Sequence, residues 1–372
     1  MIKVCFLVSS LANEGPVNVM YNIIKHMNFS IFDVSVITLT PEKTTSRIES
    51  FKKLPISIHQ LAKQEFLNPL QLFFRLKKKV REIEPHILHS HCPRSLYLMC
   101  FLPKRYKRIY TIHIFPGLQQ KILYGRWKGD LVVLLNNYFT RRTDLPVGCA
   151  ESISALYKQH KNWDIMSIPN GSSLPVWSRN EEQKKQLRKK YHLCENINYF
   201  IYVGRFSKEK NPDILVEAFR KLDDPLTGLI MLGDGPMWEQ LKAEESERLK
   251  LPGFTTDVYE YLIASDYYIS ASEVEGLANT LLESMTIGLP LLLSDIPSHK
   301  EVMAKMSRVV GYIANQNDVD DIVDKIKQLT SSVKRDEAEA EIKKVFLEHY
   351  TAEQMSNQYQ VAYQDLYRKD IN

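Results

Sequence analysis

Short apolar runs rich in Val, Ile, Leu and Phe recur along the chain at 2–9, 33–39, 55–61, 86–90, 108–113, 145–149 and 164–168, then at 198–204, 227–232, 266–270, 290–293 and 309–313. Runs of this length, bounded by turn residues, read as buried strands, and the amphipathic stretches between them read as crossover helices. Strand and helix in alternation predict an α/β fold built on parallel sheets. Between the two series lies a turn-rich polar segment from Gly171 to about Gln183, followed by the charged run 184–190. That segment predicts a boundary, with domains at 1–172 and 196–351 and a linker at 173–195. From Thr351, an expected N-cap, Met355, Tyr359, Ala362, Tyr363 and Leu366 follow helical spacing.

Composition agrees with two cores, since 372 residues are about twice a usual domain and 44% of them are apolar. No apolar run approaches the roughly 20 residues of a spanning helix. The longest candidates are 96–102 and 131–135. The opening Met1-Ile-Lys-Val-Cys-Phe-Leu-Val-Ser9 reads as a first strand rather than a signal peptide, so a cytoplasmic protein is expected. Cys5, Cys92, Cys100, Cys149 and Cys194 show no metal-ligand spacing and are expected to be reduced thiols.

Net charge is +5 over the whole chain, but the two halves differ. Residues 1–172 carry 24 Lys and Arg against 11 Asp and Glu, whereas residues 173–372 carry 25 against 33. The basic excess gathers in Arg75-Leu-Lys-Lys-Lys79-Val-Arg81, Lys104-Arg105-Tyr-Lys107-Arg108, Arg126-Trp-Lys128 and Arg141-Arg142. Phe73, Phe74, Tyr106, Tyr124 and Trp127 lie among these cations. Any one cluster could be a solvated helix face. Four in one half predict a surface that meets an anionic membrane or another polyanion, at about 1 kcal/mol per cation near a leaflet.

The chemistry-bearing residues concentrate in the second half. The run Glu275-Gly-Leu-Ala-Asn-Thr-Leu-Leu-Glu283 places two carboxylates eight positions apart, a little over two helical turns if the segment is helical throughout. A first turn at Leu277–Thr280 would then offer unpaired backbone N–H groups and a positive dipole end to a phosphate. Two solvated glutamates on an amphipathic helix would account for the spacing alone. Upstream, Val203-Gly204-Arg205-Phe-Ser-Lys-Glu-Lys210 joins a strand to a helix with a glycine and a basic loop in which Arg205 and Lys210 stand out. A forked guanidinium and an ammonium there suit a diphosphate, at the strand ends where open α/β sheets bind ligands.

Together with the glycine loop near Gly15, His89-Ser-His91, Thr111-Ile-His113, Ile168-Pro-Asn170-Gly171 and Leu232-Gly-Asp-Gly235-Pro236, these segments occur in an order that resembles the retaining glycosyltransferases of family 4. The resemblance spans nearly the whole chain. It implies the GT-B fold, two facing Rossmann-like domains with the C-terminal helix at 352–372 crossing back to the N-terminal domain. It also implies that Arg205 and Lys210 bind the donor diphosphate, that Glu275 contacts the donor sugar and Glu283 the ribose, and that His113 stands beside the sugar. Gly15, Gly204, Gly235, Gly276, Leu277, Ala278, Asn279 and Thr280 complete the implied donor site. Ala278 stands where many members have glycine, and Asn279-Thr280 replace more apolar residues, which leaves the donor sugar open.

The expected activity is retaining transfer of a sugar from a nucleotide diphosphate donor, a UDP-sugar, to a glycan acceptor carried on a lipid, in surface polysaccharide synthesis. Acceptor loops are expected around 10–18, 60–70 and 114–130. No cofactor, metal or nucleic-acid partner is expected. The Asp-x-Asp pattern by which many sugar transferases hold a divalent ion occurs only at Asp318-Val-Asp320-Asp321, where carboxylates suit a helix start. Leu232–Pro236 is too short for a dinucleotide fingerprint, and no P-loop occurs. Two rivals remain open: a hydrolysing sugar-nucleotide 2-epimerase, and a non-catalytic scaffold that binds a membrane or polyanion.

Overall fold

The computed structural model describes residues 1–63, 67–175 and 180–368. Positions within the expected 60–70 loop, the linker and the last turn of the C-terminal helix therefore lie outside the described residues. The chain forms two compact units, one from Met1–Ser172 together with the segment from Thr351 onward, the other from Ser173–Tyr350.

The first unit holds a parallel sheet of seven strands: β1 Ile2–Val8, β2 Phe32–Thr38, β3 Ser57–Gln60, β4 Ile87–Ser90, β5 Lys107–Ile112, β6 Leu145–Gly148 and β7 Met166–Ser167. Their order is β3-β2-β1-β4-β5-β6-β7, so the winding reverses between β1 and β4. The second unit repeats the plan with β8 Asn198–Val203, β9 Thr227–Leu232, β10 Leu249–Gly253, β11 Tyr267–Ile269, β12 Leu291–Ser294 and β13 Gly311–Ala314, ordered β10-β9-β8-β11-β12-β13. Its reversal falls between β8 and β11. Central strands are rich in buried apolar residues because helices cover both faces of a parallel sheet. Phe6, Leu7, Ile201 and Leu292 are accordingly buried.

Two sequence expectations need correction. β10 was not expected, because Lys250 and Pro252 interrupt its apolar pattern; it is an edge strand, where proline is tolerated. The charged run 184–190, expected in the linker, is the body of a helix, Glu181–Lys190, fastened to the second unit. Asn180 caps it by accepting from Gln183 N at 2.8 Å. Its buried Lys184 and Arg188 each reach the Asp266 carboxylate at 2.6 Å, and Arg335 joins them at 2.9 Å.

Thr351 opens the helix Ala352–Arg368 with a reciprocal cap: Gln354 N donates to its hydroxyl and Thr351 N donates to the Gln354 side chain, both at 3.2 Å. The periodic residues Met355, Tyr359, Tyr363 and Leu366 pack into the core of the first unit with Phe6 and Phe32. Ser356 donates to Ile23 O at 2.7 Å, which fixes the helix against Gly15–Lys25.

Candidate functional site

In the second unit, the loops after β8, β11 and β12 converge at the reversal of the sheet. Gly204 follows β8, and its amide donates to Leu232 O at the end of β9 at 3.0 Å, so the glycine loop after β9 begins directly against it. Gly233 has φ +146°, and a Cβ there would lie 1.9 Å from Gly204 O. Only glycine allows this approach. A Cβ on Gly235 would meet Phe206 O at 2.4 Å, which gives that glycine a packing role whatever it binds. The buried Tyr202 hydroxyl donates to Arg205 O at 2.9 Å, pinning the loop while the Arg205 side chain stays exposed. No side-chain ion pair or hydrogen bond is recorded for Arg205 among the described residues.

Lys210 closes a short 3-10 turn, Lys208–Lys210, and its ammonium pairs with Glu275. The Glu275 carboxylate also accepts from Ser272 Oγ at 2.9 Å. Burial pushes its pKa up, but Lys210 and the two hydrogen bonds outweigh that, and it settles below the usual carboxylate range. Beneath the pair lies His299, which the sequence reading missed. Its Nδ1 is 2.9 Å from Ser294 Oγ and 3.3 Å from Ser294 O, and Ser294 Oγ donates to Ser272 O at 2.8 Å. A carbonyl only accepts, so Nδ1 carries the proton. Burial holds His299 neutral, with a pKa of about 4, and its Nε2 is enclosed without a partner. The available signal was positional: Pro297 starts a helix directly after β12, at a strand end like those bearing Arg205 and Glu275.

The helix beyond Glu275 begins later than expected, at Asn279, and runs to Ile287. Glu275 therefore precedes it, and Glu275 and Glu283 do not share a helical face. Gly276 and the buried Leu277 lie in the approach. Ala278 takes the N-cap position and has no side chain to cap with, so the amide end of the helix is left to other partners. Thr280 Oγ1 lies 3.1 Å from the Tyr268 hydroxyl. Glu283 sits in the second turn, half-buried. Asp318, the start of the Asp-x-Asp pattern, caps its helix by accepting from the amides of Asp320 and Asp321.

In the first unit, Gly15 begins the helix Gly15–Lys25 and Pro16 occupies its first turn. His113 follows β5 directly. Its Nε2 lies 3.2 Å from Nδ1 of the buried His91. His89 uses both ring nitrogens, with Tyr363 OH and with Thr111 Oγ1, each at 2.8 Å, and Thr111 also meets Tyr359 OH at 2.7 Å. Burial keeps all three histidines neutral and pushes His113 down to about 3.

The chain is similar to N-acetyl-alpha-D-glucosaminyl L-malate synthase of Bacillus anthracis, with 26% identity over 77% of this chain and 76% of that protein. It is also similar to the UDP-Gal:alpha-D-GlcNAc-diphosphoundecaprenol alpha-1,3-galactosyltransferase of Escherichia coli, with 27% identity over 45% of each chain. Among solved structures, HepE of Anabaena in complex with UDP and glucose superposes with a TM-score of 0.81 over 98% of this chain and 100% of that one, at 16% identity, a likeness of fold. Residues 14–174 match Glycosyltransferase Family 4 and residues 183–345 match Glycosyl transferases group 1. With two Rossmann-like sheets and these matches along most of its length, the chain belongs to the group 1 glycosyltransferases and is a glycosyltransferase of the GT-B fold.

Proposed function

We propose that the protein moves a sugar, with retention, from a UDP-sugar to a glycan acceptor carried on a lipid at the inner face of a membrane. The carrying observation is the Lys210–Glu275 pair beside the exposed Arg205, where three crossover loops meet. In the step proposed, the bond from the anomeric carbon to the diphosphate breaks as the acceptor oxygen bonds that carbon on the same face. The acceptor proton passes to a phosphate oxygen of the departing group. Arg205, Lys210 and the amide end of the Asn279–Ile287 helix take up the charge that develops. Glu275 orients the sugar, Glu283 holds the ribose, and the backbone from Gly276 to Thr280, with Gly204 and Gly235, lines the donor. Gly15 and His113 keep the roles that the family resemblance implies for them. No metal or cofactor enters the step.

A lipid-linked acceptor is supported by the basic, aromatic first half and by the Escherichia coli relative, whose name gives a diphosphoundecaprenol-linked acceptor. The test is product analysis with a panel of nucleotide sugars and a polyprenyl-diphosphate-linked sugar, with and without EDTA. The expected product is an extended lipid-linked glycan that keeps the donor's anomeric configuration, formed equally well with EDTA. Nucleoside diphosphate released together with a free epimerised sugar, with no acceptor needed, would point to the epimerase. An inverted product would overturn the retaining step.

A further inference from the structure

The helix Arg126–Thr140 is amphipathic the wrong way round for a surface helix. Its inward residues are Gly129, Asn136, Phe139 and Thr140, and Asn136 accepts from the Tyr97 hydroxyl. Outward stand Trp127, 89% exposed, Leu131 at 56%, Leu134 at 64% and Tyr138 at 49%. At 100° per residue these four fall within a narrow stripe, and Leu135 widens it. The preceding helix, Leu118–Tyr124, buries no residue and adds exposed Leu118, Leu123 and Tyr124 to the same hairpin. The hairpin is held firmly: a Cβ on Gly129 would lie 2.7 Å from Gln120 O, so the two helices touch through backbone.

We infer that this hairpin is a membrane-docking element whose apolar stripe inserts into the headgroup boundary of an anionic bilayer. Charge selects that occupant. Residues 118–142 carry Lys121, Arg126, Lys128, Arg141 and Arg142 against Asp130 alone. Such a rim complements anionic headgroups, while a two-fold contact between copies would bring the same cations against each other. Trp127, Tyr124 and Tyr138 have the apolar body and polar tip that the interface favours. Fifteen residues give about 22 Å of helix, too short to span and long enough to lie in the plane. The inference rests on the lipid-linked acceptor reading and adds a second force to it: basic clusters attract the protein to the surface, and this stripe holds it there.

Flotation of the full chain with equimolar phosphatidylcholine and phosphatidylglycerol vesicles tests it, alongside tryptophan quenching by brominated lipid. The wild type is expected to float, with quenching that Trp127→Phe abolishes. A Leu131→Asp, Leu134→Asp double variant should bind roughly a hundredfold more weakly, since each buried leucine is worth about tenfold or more. Its melting temperature and UDP affinity should match the wild type, because both side chains are exposed. Unchanged flotation of that variant would overturn insertion while leaving the lipid-linked acceptor reading in place. A wild-type dimer that the double variant dissolves, without vesicle binding, would assign the stripe to a second copy. A wild type that ignores every vesicle yet extends a detergent-solubilised acceptor would sink the docking element alone.

Discussion

Lys210 is paired with Glu275, whereas Arg205 is exposed, so removing the two cations has different consequences. Each alanine variant should slow turnover by roughly 10²-fold or more, because the departing diphosphate loses a charge-assisted contact. Lys210→Ala also strands a buried carboxylate and should lower unfolding free energy by about 3–5 kcal/mol, while Arg205→Ala should leave it unchanged. Denaturant titration beside steady-state kinetics reads both. Because Glu275 has a folded pKa below its usual 4.5, the stability it contributes is present above that value and is lost as pH falls through the lower folded one. Glu275→Gln should lower the rate with donor bound and spare affinity for free UDP, since it releases Lys210. Glu283→Ala should do the reverse, and calorimetry with UDP separates them.

His113 invites a related argument. One of the facing nitrogens of His91 and His113 must donate, and His91 Nε2 is enclosed without a partner. An orphaned N–H is rarer than an orphaned acceptor, so His91 should carry its proton on Nδ1 and give it to His113 Nε2. His113 would then bear its own proton on Nδ1, as a hydrogen-bond donor and not a base. Nitrogen-15 NMR of the imidazoles reads the tautomers directly, and the opposite assignment would defeat the argument. His91→Asn, which keeps an N–H near that point, should retain more activity than His91→Leu at equal thermal stability.

At the scale of elements, Asp266 is the fastening that makes the Glu181–Lys190 helix part of the second unit. It accepts from Lys184, Arg188 and Arg335, and also from Tyr199 N at 2.8 Å. Burial raises its pKa, but the three cations outweigh this and hold the carboxyl low. Asp266→Asn should cost about 3–5 kcal/mol, measured by urea unfolding, because it leaves buried cations without their counter-ion. Most strands and the Thr351 cap were legible in the sequence, because burial on both faces imposes continuous apolar runs and capping follows local chemistry. The helix 181–190 was not, since its charges read as a solvated linker until Asp266, 82 positions from Lys184 and 78 from Arg188, is known to be their partner. Glu275 followed the same logic: its spacing to Glu283 suggested one helix, but its position is set by Lys210 from another loop. Ser272 reaches Glu275 from three positions upstream in the same loop, whereas His299 has only its place after β12 as a signal and joins the group through the winding of the sheet.

For the molecule as a whole, the sequence showed where the positive charge lies but not which cations are available. Arg108 is buried and donates to Leu102 O at 2.6 Å, and Lys79 pairs with Glu82 at 2.5 Å. Lys78, Arg81, Lys104, Arg105, Arg126, Lys128 and Arg141 are exposed. Neutralising Lys78, Arg81, Lys104 and Arg105 should weaken binding to anionic vesicles and flatten its salt dependence while sparing UDP affinity, since exposed charges are screened over about 8 Å at physiological ionic strength. Including Arg108 would confound the test by damaging the fold. Salt-independent vesicle binding by the wild type would contradict an electrostatic contribution.

The helix Ala352–Arg368 completes the first unit although the whole second unit intervenes in the sequence. During synthesis the second unit is therefore finished while the first still exposes Phe6 and Phe32 and lacks the hydroxyls that satisfy His89 and Thr111. A nascent chain released before residue 352 would hold one sound unit and one with an open, sticky core, a ready substrate for chaperones and proteases. Completion of the fold thus reports that translation has run through both units.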